Sequence, residues 1–358
     1  MKQKAGSSVT VKDIAREADV SVGTVSRVFN NHSNVTDEIR ERVLRAAARL
    51  GYTRAVGQRG AGRGDSSALK EIGFLYCSYL DTNAATNNPF WSHILDGVEN
   101  TARQLNMKVT YRAIGELTSD PDALLETISK MKLGGILLVG PAEPETVQQI
   151  QRLNIPLVLV DNHATGISVD SVLCDNFEGA RAAVEYLIEE GHKEIAFIGG
   201  PVLPGPRPRN RIYTLERRAA GYRAALLDAG IPVDYALFEE SELHPDSAYA
   251  ACKRLLERGV HFTALFGAND NVAIGAMKAL REAGLRVPED VSLIGFDDID
   301  MVEHLTPALT TVHIDKEAMG NVAVRRLQDR SMEPDMTAIT CIVAVKLVKR
   351  DSVRSCKQ

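Results

Sequence analysis

The stretch Val9-Thr-Val-Lys-Asp-Ile-Ala-Arg-Glu-Ala-Asp-Val-Ser-Val-Gly-Thr-Val-Ser-Arg-Val-Phe-Asn30 decides how the first part of the chain folds. Thr10 followed three residues later by Asp13 is a helix start of the capping-box kind. Ile14, Ala15 and Ala18 then line one apolar face. Asp19-Val20 turns the chain, Ser21 caps a second helix running to about Val28, and Val25 and Val28 point inward. Val22, Gly23, Thr24, Ser26 and Arg27 stay outside, small at the N-terminal end with a cation one turn later. Small residues let a helix approach a surface closely, as the second helix of a helix-turn-helix does in the major groove. An arginine placed there can take guanine O6 and N7 in a bidentate contact. The same pattern also fits a small amphipathic helical pair with a solvated arginine.

Working outward, Asn34-Val-Thr-Asp-Glu-Ile-Arg opens a third helix, with Thr36 as N-cap and acidic residues where the helix dipole favours them. Ile39, Val43, Ala46, Ala47 and Leu50 give it a buried face, and Gly51 ends it. Three helices in so short a span make a bundle of DNA-binding size. Residues 1–8 read as a disordered leader, and 53–68 as a Gly- and Arg-rich linker.

A chain of 358 residues implies two or three domains. Its 44% hydrophobic and 25% charged content is ordinary for a globular protein. No run of about 18 apolar residues is present, so no membrane span is expected, and the N-terminus lacks a secretion signal. Cys77, Cys174, Cys252, Cys341 and Cys356 are scattered and without a CxxC, which suits reduced thiols in a cytoplasmic protein and neither a disulfide frame nor a metal site. Charge is unevenly divided. Residues 1–64 carry 12 Lys and Arg against 6 Asp and Glu, a net +6, and the remainder carries 30 against 41, a net −11. A basic head on an acidic body draws a polyanion to one end only.

From Leu69 the pattern becomes strand–helix alternation. Apolar runs at Ile72–Cys77, Val109–Ile114, Gly135–Val139, Leu157–Val160, Ile195–Ile198, Ala264–Phe266 and Val291–Ile294 are separated by amphipathic helical stretches near 90–106, 121–132, 143–152, 177–190, 217–229, 246–258 and 271–283. This predicts parallel sheets covered on both faces, two of them for about 290 residues. No P-loop or GxGxxG opens a helix, so no cofactor is expected. Ligands of open α/β sheets sit beyond the C-terminal strand ends. There the sequence places Asp161-Asn162, Asn269-Asp270, Asp297-Asp298 and Asn88-Pro-Phe-Trp91. Carboxylates and amides with an aromatic face suit a polyhydroxylated ligand. Plainer readings stand beside these: Trp91 as core and Asp161 as a cap, and likewise Arg218, in the helical stretch near 217–229, as a solvated neighbour of Arg217.

An enzyme finds little support. Asp297 and Asp298 are adjacent, so their side chains diverge, a poor geometry for paired-carboxylate chemistry. GxSxG and HExxH are absent, and Cys77, Cys174 and His192 make no nucleophile–base motif. A secreted sugar-binding protein is the best alternative without DNA; the missing signal and the basic head argue against it. A binding module with an idle head also stays open.

The run from Asp13 to Asn30, with Val35-Thr-Asp-Glu-Ile-Arg-Glu-Arg-Val and Leu50-Gly-Tyr, resembles the head of LacI/GalR-type bacterial transcription regulators. Asn88-Pro-Phe-Trp, Gly199-Gly-Pro, Arg218-Ala-Ala-Gly-Tyr, Ala268-Asn-Asp, Gly284-Leu-Arg-Val-Pro, Ile294-Gly-Phe-Asp-Asp and Leu347-Val-Lys-Arg-Asp-Ser are similar to the effector-binding core of that family across 69–352. The resemblance implies a helix-turn-helix head over 1–52, a hinge linker over 53–68 and a sensor over 69–358 of two doubly wound parallel-sheet subdomains, like periplasmic binding proteins. Their expected ranges are 69–163 with 297–325, and 164–292 with 330–352.

The resemblance also implies roles. Val22 and Gly23 occupy the base-reading positions, Arg27 is the recognition-helix arginine, and Thr10, Ser21, Thr24, Ser26 and Asn30 make phosphate or backbone contacts. Trp91 stacks on the effector, Arg218, Asn269 and Asp297 hydrogen-bond it, and Asp161 and Phe90 are neighbours. The implied function is a repressor that binds a palindromic operator as a homodimer and responds allosterically to a small molecule, a sugar or sugar derivative. The absence of a C-terminal heptad segment favours the dimer over a tetramer.

Two segments depart from the family. Arg54-Ala55 replace its Pro-Asn, Arg59 keeps its Arg, and Ala61 stands where its minor-groove leucine would be. Gly57, Gly60, Gly62 and Gly64 each cost about 1 kcal/mol in a helix relative to Ala. A weak hinge helix is therefore expected, with Arg54, Arg59 and Arg63 tracking phosphates or a narrow minor groove; an inert tether is the alternative. The loop Pro201–Glu216, rich in Pro and Arg, is longer than the family's and reads either as a contact for an extended or anionic ligand or as a bare solvated loop.

Overall fold

Capping decides where the first helices begin. In the computed structural model, which describes residues 10–29, 35–50, 69–77, 88–202 and 212–356, α1 (Val11–Glu17) follows Thr10. The Thr10 backbone N and Oγ1 both donate to Asp13 Oδ2, at 2.9 and 2.6 Å, and these bonds hold the Asp13 carboxyl below its ordinary range. Asp19 makes the turn with φ 50°, a left-handed conformation that Asp tolerates. α2 (Val22–Phe29) follows Ser21, whose Oγ accepts from Thr24 N at 3.0 Å. α3 (Asp37–Arg49) completes the bundle. Ile14, Ala15, Ala18, Val25, Val28, Val43, Ala46 and Ala47 form its core. This bundle belongs to one compact unit, Met1–Ser66, and everything that follows belongs to a second, Ser67–Gln358.

The second unit begins with β1 (Glu71–Tyr76), α4 (Pro89–Gln104), β2 (Lys108–Ala113), α5 (Pro121–Lys130), β3 (Gly135–Val139), α6 (Pro144–Gln151), β4 (Leu157–Val160) and β5 (Asp170–Cys174). Next come α7 (Asn176–Glu189), β6 (Ile195–Gly199), α8 (Tyr213–Asp228), β7 (Phe238–Glu240), α9 (Pro245–Glu257), β8 (Ala264–Gly267), α10 (Asp270–Glu282) and β9 (Ser292–Ile294). It ends with β10 (Thr311–Ile314), α11 (Lys316–Met332), β11 (Thr340–Val343) and β12 (Val345–Val348). One parallel sheet has the order β11-β5-β4-β3-β1-β2, a second the order β7-β6-β8-β9, and β10 and β12 form an antiparallel pair. Leu137 stands opposite Phe74 on one side and Val158 on the other, all three fully buried, as expected of strands covered on both faces.

Helices α4 and α11 cross in close contact. A Cβ on Gly97 would overlap the Glu317 backbone, and one on Gly320 would overlap the Ile94 carbonyl, so both crossing points need glycine. α11 is also tied to the first sheet by charge. Asp170, fully buried at the start of β5, accepts from Arg326 Nε at 2.9 Å, Arg330 Nε at 2.7 Å and Ile339 N at 2.9 Å.

These connections correct the expected subdomain limits. Strand 170–174 lies in the first sheet and not the second, and so does 340–343. The chain therefore first crosses after Cys174, returns with α11 at Lys316, and crosses again between β11 and β12. The expected return at 297 is also early, because β10 pairs with β12 and not with the first sheet. The missed strands lie behind the error: β5 opens on the charged Asp170, and β11 and β12 are short and half exposed although Cys341–Val345 is an apolar run. α8 begins at Tyr213 and not at 217, because Thr214 and Leu215 are buried and continue its inner face. The helix thereby takes the last residues expected in the loop, and 203–211, with Pro204, Pro206, Pro208, Arg207, Arg209 and Arg211, lie outside the described residues, as do the linker 53–68, Asn30, Arg54, Arg59 and Arg63.

Candidate functional site

The two parallel sheets direct their C-terminal strand ends at a common cleft, and charged side chains collect there. Arg218 sits on α8, one turn and a half from its start, and is only 4% exposed. Its Nε donates to Asn176 Oδ1 at 2.7 Å and its Nη1 to the Ala268 carbonyl at 2.7 Å. Nη2 lies 3.0 Å from Asp297 Oδ1, an ion pair outside hydrogen-bond alignment, and the guanidinium plane rests 3.8 Å from the Phe296 ring centroid. All three arms of the cation are thus committed, which leaves it a fixed positive floor for the cleft.

Asp161 directly follows β4, with its backbone N on the Val172 carbonyl at 2.9 Å. Its Oδ1 is buried and makes no hydrogen bond with the described residues. Burial pushes its carboxyl up to about 7, against the pull of Arg218 and with a further upward push from Asp297. Burial likewise raises Asp297, with Arg218 and then Lys316 opposing. Asp161 and Asp297 have φ of 54° and 112°. Left-handed backbone at non-glycine residues costs free energy and gathers at ligand sites. Buried polar atoms left without partners gather there too.

Asn269 caps α10, accepting from Val272 N at 2.8 Å, so its oxygen is used and only its amide NH2 group faces other partners, the Leu243 carbonyl at 3.4 Å among them. Phe90 and Trp91 open α4, where Asn88 caps and Pro89 occupies the first turn. Their rings meet edge to face at 4.7 Å, and Trp91 lies 5.5 Å from Tyr76. Both are buried, so the aromatic wall is also core.

The structure adds Asn176, which the sequence did not single out, and gives partners to Asp270 and Asp298, named there only as polar residues at strand ends. Asn176 holds Arg218 in place while donating to the Cys174 carbonyl at 3.1 Å; the signal was Asp175-Asn176 after an unrecognised strand. Asp270 is fully buried, accepts from Thr311 Oγ1 at 2.6 Å and Ile299 N at 2.9 Å, and is raised by burial to about 8. It ties α10 to the crossover. Asp298 turns away from Asp297 toward Arg350 and His313, both at 2.8 Å. These groups line a second polar concavity with His93, Asp300 and Lys316; its half-buried Asp298 carboxylate is already paired, so it reads as bracing of the crossover. Among the described residues no His, Cys, Asp and Glu cluster has metal-site geometry.

In the head, Val22 is 45% exposed, and Gly23, Ser26 and Arg27 are exposed beside it. Arg27 Nε donates to the Gly23 carbonyl at 3.3 Å, folding the guanidinium back along α2. Ser21 Oγ and Thr24 Oγ1 lie 2.9 Å apart at the helix start, and Thr10 is engaged with Asp13 at the start of α1.

A helical head that presents a close-approach surface, followed by two parallel-sheet subdomains around a charged cleft, defines a one-chain regulator: a DNA-binding unit with a small-molecule sensor. The model for the lacI family of bacterial regulatory proteins matches residues 10–55, and that for a periplasmic binding protein-like domain matches 184–353. The chain is 34% identical over 347 residues to the HTH-type transcriptional repressor PurR of Erwinia tasmaniensis, covering 96% of each. It therefore belongs to the LacI family of bacterial transcription regulators. Among solved structures, a complex of the transcriptional regulator CelR with cellobiose matches at TM-score 0.72 and 30% identity, covering 96% of this chain and 99% of that one. The lac repressor dimer bound to operator and the anti-inducer ONPF matches at 0.67 and 27%, covering 97% and 100%.

Proposed function

We propose that this protein is a cytoplasmic repressor that binds a palindromic operator as a homodimer and changes its operator affinity when a neutral sugar occupies the cleft. Supporting this, its relative is a repressor, one neighbour carries cellobiose and another is a dimer on operator. The observation that carries the ligand reading is Asp161: a buried carboxylate oxygen that makes no hydrogen bond with the described residues, beside a cation held by Asn176 and the Ala268 carbonyl and neutralised by Asp297. Such a floor accepts hydroxyl protons, and the carboxyl groups of Asp161 and Asp297 beside the cation disfavour an anion. Trp91 and Phe90 are the apolar wall, and Asn269 and Asp297 complete the polar set. Val22 and Gly23 lie against base edges, Arg27 takes a guanine, and Thr10, Ser21, Thr24 and Ser26 lie along the phosphates. Occupancy acts only through its differential affinity for the two subdomain arrangements.

The test is a thermal-shift screen of neutral mono- and disaccharides on the full-length protein, followed by titration of a stabilising sugar into the protein–operator complex. Operator affinity should change at least tenfold. Asp161→Asn should blunt that change while leaving operator affinity without sugar intact. A panel in which no sugar stabilises the protein, or a stabilising sugar that leaves operator binding unaltered, contradicts the proposal.

A further inference from the structure

Beyond these groups, one contact spans the two subdomains. His163 lies three residues past β4 in the first subdomain, and Tyr213 is the first residue of α8 in the second. Their rings are 4.7 Å apart with planes tilted by 39°. Asn162 anchors the His163 backbone, accepting its N–H at 2.8 Å while donating to the Ala142 carbonyl at 3.0 Å. Ile212 and Leu215, both buried, fix Tyr213 from the other side. The ring pair therefore joins two rigid supports. Yet His163 Nδ1 is buried and makes no hydrogen bond with the described residues, so ring packing is offset by the cost of a desolvated polar atom. A contact so balanced is easily broken and remade.

We propose that His163 and Tyr213 form a latch across the effector cleft that sets the balance between its closed and open arrangements. This rests on the reading of the cleft as the effector site, and it adds a control on that site's access. Cys174, a thiol buried beside Arg218 and Asp161, sits at the cleft floor, and the latch predicts that releasing the rings exposes it. Cys252 is equally buried but lies in the core of the second subdomain, among Ala248, Leu255 and Leu280. The chain thus carries its own reporter of cleft opening and its own reference for general loosening.

The experiment measures N-ethylmaleimide labelling of each cysteine in the full-length protein by peptide mass mapping, in wild type, His163→Ala, Tyr213→Ala and Tyr213→Phe. The latch predicts at least fivefold faster labelling at Cys174 in both alanine variants, an unchanged rate at Cys252, and wild-type behaviour in Tyr213→Phe, which keeps the ring. The double variant His163→Ala/Tyr213→Ala should label no faster than the faster single. Rates at Cys174 within twofold of wild type in both alanine variants overturn the latch. Parallel acceleration at Cys252 overturns it too, by assigning the rings to general packing. Labelling is read without ligand, so its failure leaves the effector reading standing. Failure of that reading shows instead in the sugar and Asp161→Asn titrations.

Discussion

Arg218 and Asp297 form a buried ion pair, Nη2 to Oδ1 at 3.0 Å, in which the arginine is also fixed by Asn176 and the Ala268 carbonyl. The pair is the positive and negative floor of the cleft, and each charge depends on the other. Removing one partner of a buried pair strands the other, which costs about 3–5 kcal/mol. Arg218→Ala should lose stability of that order in chemical denaturation, and Arg218→Ala/Asp297→Ala should recover part of it. Additive losses would show that the two charges are not coupled.

Asp161 gives the protein a pH dependence opposite to that of a salt-bridged carboxylate. Its folded value, about 7, lies above the value near 3.9 expected of the unfolded chain. The native state therefore holds the proton more tightly than the unfolded state. Wild-type stability should fall as pH rises from about 4 to about 7, by an amount on the order of a few kcal/mol. Asp161→Asn lacks that loss. Its melting temperature should match wild type near pH 4.5 and exceed it at pH 8; a constant difference across that range would refute the buried carboxyl.

The crossing of α4 and α11 leaves no room for a side chain at Gly97, where a Cβ would overlap the Glu317 backbone. Overpacking of this kind costs about 1–3 kcal/mol. Gly97→Ala should lower the midpoint of urea unfolding by that amount with an unchanged slope. A neutral effect would mean that the helices part easily.

Arg27 is held back on its own helix by the Gly23 carbonyl, so the guanine contact proposed for it requires the side chain to swing out. Loss of a bidentate guanine contact costs about 1–3 kcal/mol. Arg27→Ala should weaken operator binding accordingly and relax the preference at one position of each half-site. Uniform weakening on every sequence would make Arg27 a phosphate contact instead.

How much of this was legible beforehand follows from which signals are local. The head was readable because caps and apolar spacing act within a few residues: Thr10 with Asp13, Ser21 with Thr24, and Val25 with Val28 all stand as the sequence suggests. The buried strands were readable as apolar runs, β3 and β4 to the residue. β5, β11 and the return through α11 were not, because Asp170 finds Arg326 and Arg330 from across the chain and nothing local announces that pairing. At the cleft, the strand-end rule located Asp161, Asn269 and Asp297. It missed Asn176, which follows an unrecognised strand, and His163, whose partner Tyr213 lies 50 positions away in the numbering. The chemistry of a site can be read one residue at a time, but its wiring only in three dimensions.

The central claim is that the head reads a two-fold DNA site on behalf of the sensor. It is tested most directly by selecting binding sites from random duplex DNA with the full-length protein at moderate salt. The account predicts a palindrome of two half-sites, with guanine specified at one position of each and binding that weakens steeply as salt rises. Enrichment of no sequence, or of a single half-site without a symmetric partner, would contradict it.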